Sequence, residues 1–430
     1  MELNGLSIDQ APPISSPLRF FLTAPLFGIL AGVLIFLSDV SSLMNRYSIE
    51  SIVITHVLTI GFLGFMMLGA MTQMLPVLAS AKIPKVKLVA TLSHILLVVG
   101  SLFMFLGLFN DNTLFNIIAF IGLGSGFLLM LGAIAFSLKS VNNFNATVKG
   151  ITTSVFFGIL IVLMGLYLLS SYITKDISAI HTIVANVHSV WAIFGFAGIL
   201  IIGVAFQVLP MFYVAPHFKD FCLKRVVPII SIGLVIWLFL NIVYPEYAFI
   251  GKSWVALFFW AFATTVSIKL NQRRRPVSDV TVWYWRSASI FFTLGLFTWV
   301  LDEYLNDDYI IVASILIGGG FIISVMTGMM YKIIPFLVWF HLNAKGYMSI
   351  PTMNEMINKN LSKLQFTLFI ISILGFVSAF FIPIVLKIAA ISFIMSMIIL
   401  EYNIIAPVLL YRKTLQSKPD FDMSMMQSSN

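Results

Sequence analysis

Cysteine is almost missing from this chain of 430 residues. Cys222 stands alone, so no intramolecular disulfide can form and a cysteine metal site is not expected. Charge is scarce too: Asp, Glu, Lys and Arg make up 10% of the residues, and no stretch is polar enough and long enough for a soluble domain. The first 18 residues are polar and contain Pro and Ser, but no small-residue cleavage site follows them. The apolar run after Arg19 therefore reads as a retained span and not as a removable signal. What the chain has is hydrophobic material, 60% of residues, with a mean hydropathy of +1.02. Apolar runs of about 18 residues or more recur, the length needed to cross a hydrocarbon core of roughly 30 Å. Only helices and closed barrels satisfy their backbone in lipid, and continuous runs of this kind are helical. The expectation is an all-α integral membrane protein whose main partner is the lipid bilayer.

About twelve spans are expected, near 20–38, 51–78, 88–109, 114–138, 151–173, 182–210, 226–243, 248–269, 286–304, 309–339, 364–385 and 388–411. Bases fall on alternate connections: Lys82, Lys85 and Lys87; Lys139 and Lys149; Lys219, Lys224 and Arg225; Arg273, Arg274 and Arg275; Lys345, Lys359 and Lys363; Arg412 and Lys413. The opposite connections carry Asp111, Asp176, Glu246, Asp302, Glu303, Asp307 and Asp308. The positive-inside rule then places both termini in the cytoplasm of a bacterial-type inner membrane. The formal charge of +8 is a topology signal, and no nucleic-acid partner is expected. Residues 1–18 read as a cytoplasmic segment, 19–413 as one membrane domain, and 414–430, ending in Gln427 to Asn430, as a disordered cytoplasmic tail.

One signature recurs inside the apolar helices. His56, Gly61, Phe62, Gly64, Gly69, Gln73 and Pro76 form the first copy, and His188, Gly195, Phe196, Gly198, Gly203, Gln207 and Pro210 the second. The third keeps Gly320, Gly328, Lys332 and Pro335 but has no histidine. The prolines lie 134 and 125 residues apart. Such spacing suggests three homologous four-helix groups (about 19–145, 146–280 and 281–413), with the marked helix second in each. By helical rise His56 lies about 30 Å from Pro76, and His188 about 33 Å from Pro210, so both fall near the outer leaflet.

Polar side chains in a membrane are costly and face a protein interior or a cavity. Two histidines at similar depth on different helices suit axial ligation of heme iron, and the glycines that follow would let a helix or a porphyrin face approach closely. His56 and His188 are the expected ligands. His181, two turns before His188, is a possible further ligand or partner for a heme propionate. His94, Glu401 and Lys332 are candidates for a proton path or for buried polar packing. Lys332 could also extend to the interface, with Gln73 and Gln207 bonding the backbone of the loop that follows. Methionines such as Met66, Met71 and Met329 are read as gap-fillers, and no copper site is expected.

In topology and in the histidines at 56 and 188, nearly the whole chain resembles subunit I of the heme–copper oxidase superfamily. That group includes nitric-oxide reductase large subunits and twelve-span NnrS-type proteins. The resemblance implies a cytochrome-oxidase-subunit-I-like fold, with His56 where the family places a low-spin heme ligand and His188 where it places a copper ligand. The departures are large. Val226 to Val243 contains no histidine pair, and Ala313 and Ile315 occupy the positions aligned with His188 and His56. The implied function is that of a heme b-binding protein of respiratory electron transfer, nitric-oxide or redox response, or complex assembly, with respiratory or redox subunits as partners and no oxygen reduction of its own. A proton-coupled transporter and a heme-free assembly scaffold are the alternatives.

Overall fold

A computed structural model describes residues 12–79, 81–141, 143–274, 278–304 and 309–421. Arg275, Asp307, Asp308 and Gln427 to Asn430, used above, lie outside the described residues. The chain is a multi-pass helical membrane protein, with no β-strand among the described residues. Among the described residues eleven helices are long and apolar enough to cross a membrane: α1 (Ser15–Leu37), α2 (Ile49–Val77), α3 (Val86–Phe109), α4 (Thr113–Leu138), α5 (Ala146–Thr174), α6 (His181–Tyr213), α7 (Asp220–Val243), α8 (Pro245–Asn271), α10 (Ile310–Asn343), α11 (Lys359–Ala379) and α12 (Val385–Thr414). Between α8 and α10 lies α9 (Val280–Leu301), 22 residues long. It falls short of the same hydropathy criterion, being rich in Trp283, Tyr284, Trp285, Arg286 and Ser289. Its composition follows from its position, since Tyr284, Trp285, Ser289 and Trp299 are buried against neighbouring helices.

Helix ends shift modestly from the expectation. The first helix starts at Ser15, before Arg19. The seventh starts at Asp220 and the eleventh at Lys359, because polar and basic residues extend the helices past their apolar cores. Asn112, Asn145, Asp279 and Asn358 supply side-chain caps to α4, α5, α9 and α11, satisfying amides that the first turn leaves free. Residues 415–421, expected in the disordered tail, are placed against the α10–α11 connection. Asp420 accepts from the Met348 and Ser349 amides at 2.7 and 2.8 Å, and the Tyr347 hydroxyl donates to the Ser417 carbonyl at 3.0 Å.

α2, α6 and α10 form the interior. The apolar stretches of these three are 67%, 78% and 61% buried, against at most 50% in the other spans. Around them α1 packs on α2, α5 on α6 and α9 on α10. Each of the pairs α3/α4, α7/α8 and α11/α12 forms a hairpin, and the outer chain closes through α4/α5, α8/α9 and α12/α1. The connections with the bases meet at one end of the bundle. There the Ser137 hydroxyl reaches the Lys82 carbonyl and Lys269 the His217 carbonyl, while the Phe421 amide bonds Gly346. The acidic connections meet at the other end, through Lys175–Asp111 and Lys252–Glu303.

Each inner helix contains a π-helical stretch: Val57–Gly64, Trp191–Gly198 and Ile315–Ile323. Their first residues lie 134 and 124 residues apart, close to the proline spacing. A π stretch inserts a residue into the helix and frees a carbonyl, and such stretches favour functional positions. In α6 the Phe196 carbonyl accepts from the Ser154 hydroxyl of α5 at 2.8 Å as well as from the Ile199 amide.

The marked glycines are seats for rings. A Cβ on Gly61 would lie 2.4 Å from Phe27, on Gly195 2.7 Å from Phe157, and on Gly320 2.6 Å from Phe291. One step further along, Gly69 meets Phe20, Gly203 meets Gly150, and Gly328 meets Tyr284. Along α1, α5 and α9 the two contacting residues are seven apart each time (Phe20 and Phe27, Gly150 and Phe157, Tyr284 and Phe291).

Candidate cofactor site between α2 and α6

His56 ends the regular first part of α2, just before its π stretch, and His188 lies near the corresponding place in α6. Relative to their prolines His188 stands two residues further back, a rotation of roughly 200° about the helix. The two side chains thus leave their helices in different directions and meet between them. Their ring centres are 6.2 Å apart with planes inclined by 22°. His56 Nδ1 lies 2.7 Å from the Ile52 carbonyl, and His188 Nδ1 lies 2.9 Å from the Ile161 carbonyl of α5. A carbonyl oxygen only accepts, so each Nδ1 carries the ring proton and each Nε2 keeps a free lone pair. A backbone carbonyl behind Nδ1 is the usual way a ligating imidazole is oriented and its tautomer fixed.

Both imidazoles are half-buried, as are Ile161, Val162, Met164 and Gly165 on α5. Gly165 is the residue that makes room for His188, since a Cβ there would lie 3.1 Å from Cε1 of the ring. Nothing in the sequence marks it, because it lies on another helix outside the recurring signature. Asn186 Oδ1 and Trp191 Nε1, close to His188 in sequence, are buried without a hydrogen-bond partner. Among the described residues no cluster of three or more His, Cys, Asp or Glu side chains is placed to hold a metal.

Several sequence expectations are redirected. Gly61, Gly195 and Gly198 are covered by Phe27, Phe157 and Phe259, and Gly64 is approached by Phe127, so these glycines offer no face to a planar group. His181 is tied by Nδ1 to the Ser171 hydroxyl at 3.2 Å. His94 lies edge-on to Phe20 and Phe65, and its Nε2 is 2.9 Å from Thr23 Oγ1. The Thr23 hydroxyl donates its one proton to the Arg19 carbonyl, so His94 is the donor to Thr23, the opposite tautomer from the central pair. Lys332 pairs with Asp279 at 2.6 Å, and Asp279 at the same time caps the start of α9. Gln73 is buried with neither side-chain atom hydrogen-bonded, so it does not bond the following loop. Glu303, at the end of α9, pairs with the buried Lys252 at 2.8 Å, whose ammonium also lies 5.4 Å from the Trp299 ring. Glu401 is half-buried on α12, and its Oε2 has no hydrogen-bond partner. His56 and His188 are brought together; His94, Lys332 and Glu401 share no partner.

Compared with known proteins, the chain matches no protein-family model and no curated sequence.

Proposed function

We propose that this protein binds heme b between α2 and α6, with His56 and His188 as the axial ligands, on a twelve-span scaffold like that of oxidase subunit I. The observation that carries the reading is the facing pair of imidazoles with both Nδ1 atoms committed to carbonyls. The two ring centres lie 6.2 Å apart with planes inclined by 22°, so both imidazoles reach one space between the helices. A bare metal ion held by protein alone takes three or four side chains. Two suffice when the bound group brings its own equatorial nitrogens, as a porphyrin does. Bound heme would supply reversible one-electron chemistry. The Ile52 and Ile161 carbonyls orient the imidazoles.

The three π stretches, the three ring-on-glycine seats and the threefold pattern of helix neighbours support three homologous four-helix units, with α9 as a twelfth span. The positive-inside rule supports cytoplasmic termini in an inner membrane. Heme held by both histidines would leave neither of them for a second metal, which favours electron transfer, nitric-oxide or redox response, or a role in a respiratory assembly over oxygen reduction. Detergent-purified protein should show the reduced-minus-oxidised bands of a b-type cytochrome and one iron per chain. Both signals should be lost in His56→Ala and in His188→Ala. A b-type spectrum that survives both substitutions overturns the assignment.

A further inference from the structure

At the basic end of the bundle, the start of α3 borders an open groove of about 630 Å³ lined by Ile83, Lys85, Val86, Lys87, Leu88 and Thr91. Lys85 adopts a left-handed conformation there, with φ of 46°, which disfavours a residue with a Cβ. From this groove an exposed apolar stripe runs along α3 through Leu88, Leu92, Ile95, Val99 and Leu102. The charge around it is one-sided. Between Glu50 and Asp176 the sequence holds one carboxylate, Asp111, which is paired with Lys175 at the far end of the bundle. The same stretch supplies Lys82, Lys85, Lys87, Lys139 and Lys149 to the basic end. Elsewhere at that end Lys224 pairs with Asp220 and Lys332 with Asp279.

We propose that this groove seats the phosphate headgroup of an anionic phospholipid between Lys85 and Lys87, with an acyl chain lying along Leu88, Leu92, Ile95 and Val99. Uncompensated lysines beside a membrane span attract anionic lipid, and the apolar stripe selects a lipid over a free anion. Full-length protein equilibrated with mixed phosphatidylglycerol and phosphatidylcholine vesicles, then examined by native mass spectrometry, should retain phosphatidylglycerol in preference. The double variant Lys85→Gln/Lys87→Gln should hold it about thirtyfold more weakly, the ratio expected for two lysines near a surface. Lys345→Gln/Lys359→Gln, with the same charge change on another basic connection, should retain it as the parent does. All four positions are exposed, and the variants should elute as folded monodisperse protein. Equal retention of the two lipids, an equal loss in the second variant, or displacement by millimolar inorganic phosphate would each overturn the proposal.

Discussion

The two clefts beside α6 differ in what fills them. Toward α2 lie the His56–His188 pair and half-buried residues of α5. On the other side, toward α8, α9 and α10, a chain of rings closes the space. Phe194 lies 4.6 Å from Trp299 and 5.1 Å from Phe259, Phe259 lies 5.5 Å from Phe292, and Phe292 stacks on Phe321 at 3.8 Å with planes 2° apart. Both clefts are framed alike, by a π stretch on the inner helix and a phenylalanine on its first glycine. The frame is therefore independent of what lies in the cleft. One cleft is built as a dry core and the other presents lone pairs.

The largest test of that contrast is Phe292→Ala. The ring is fully enclosed, and truncation of a buried phenylalanine costs about 3 kcal/mol or more. The midpoint of denaturant unfolding in detergent should fall accordingly. The double variant His56→Ala/His188→Ala, compared with parent protein prepared without heme, should lose no more than about 2 kcal/mol, the usual scale for two neutral hydrogen bonds. If the histidine pair proves as costly as Phe292, its cleft is a packing core and the contrast fails.

A second test addresses the frame. Gly61→Ala, Gly195→Ala and Gly320→Ala each force a methyl into a phenylalanine ring, and overpacking of this kind costs roughly 1–3 kcal/mol. Gly132, with nothing near its missing Cβ, is the control, and Ala there should be neutral or stabilising by up to about 1 kcal/mol through helix propensity. Three similar losses would support one frame used three times. Gly320→Ala behaving like Gly132→Ala would remove the third unit from the comparison.

Much of this frame was legible in the sequence. The even spacing of Pro76, Pro210 and Pro335 marked the three inner helices, and the lone histidines in two copies marked the pair that meets between α2 and α6. The rings on the glycines were not legible, because Phe27, Phe157 and Phe291 lie 34, 38 and 29 residues before their seats, and periodicity within one helix carries no record of its neighbour. For the same reason Lys332 gave no sign of Asp279, 53 residues away. The polar and aromatic composition of α9 blurred its boundaries: a helix packed inside protein needs rings and hydroxyls that hydropathy scores as water-facing. The π stretches were hidden too, since the glycines that accommodate them serve equally well in close helix packing.

The smallest effect separates ligand geometry from general packing. Gly165→Ala would place a methyl 3.1 Å from His188 Cε1, and Gly158→Ala on the same helix would place one 3.0 Å from the Phe196 ring. Each neighbour must yield by a few tenths of an ångström, so the two variants should differ little in stability. They should differ in spectrum. Moving the His188 imidazole against its bond to Ile161 changes the ring orientation and basicity that the carbonyl sets, and hence the absorption bands and midpoint potential of the heme proposed to bind there. Gly158→Ala leaves that imidazole untouched and should reproduce the parent bands. A shift in Gly158→Ala as large as that in Gly165→Ala would mean that the bands report strain in α5 as a whole and carry no information about His188.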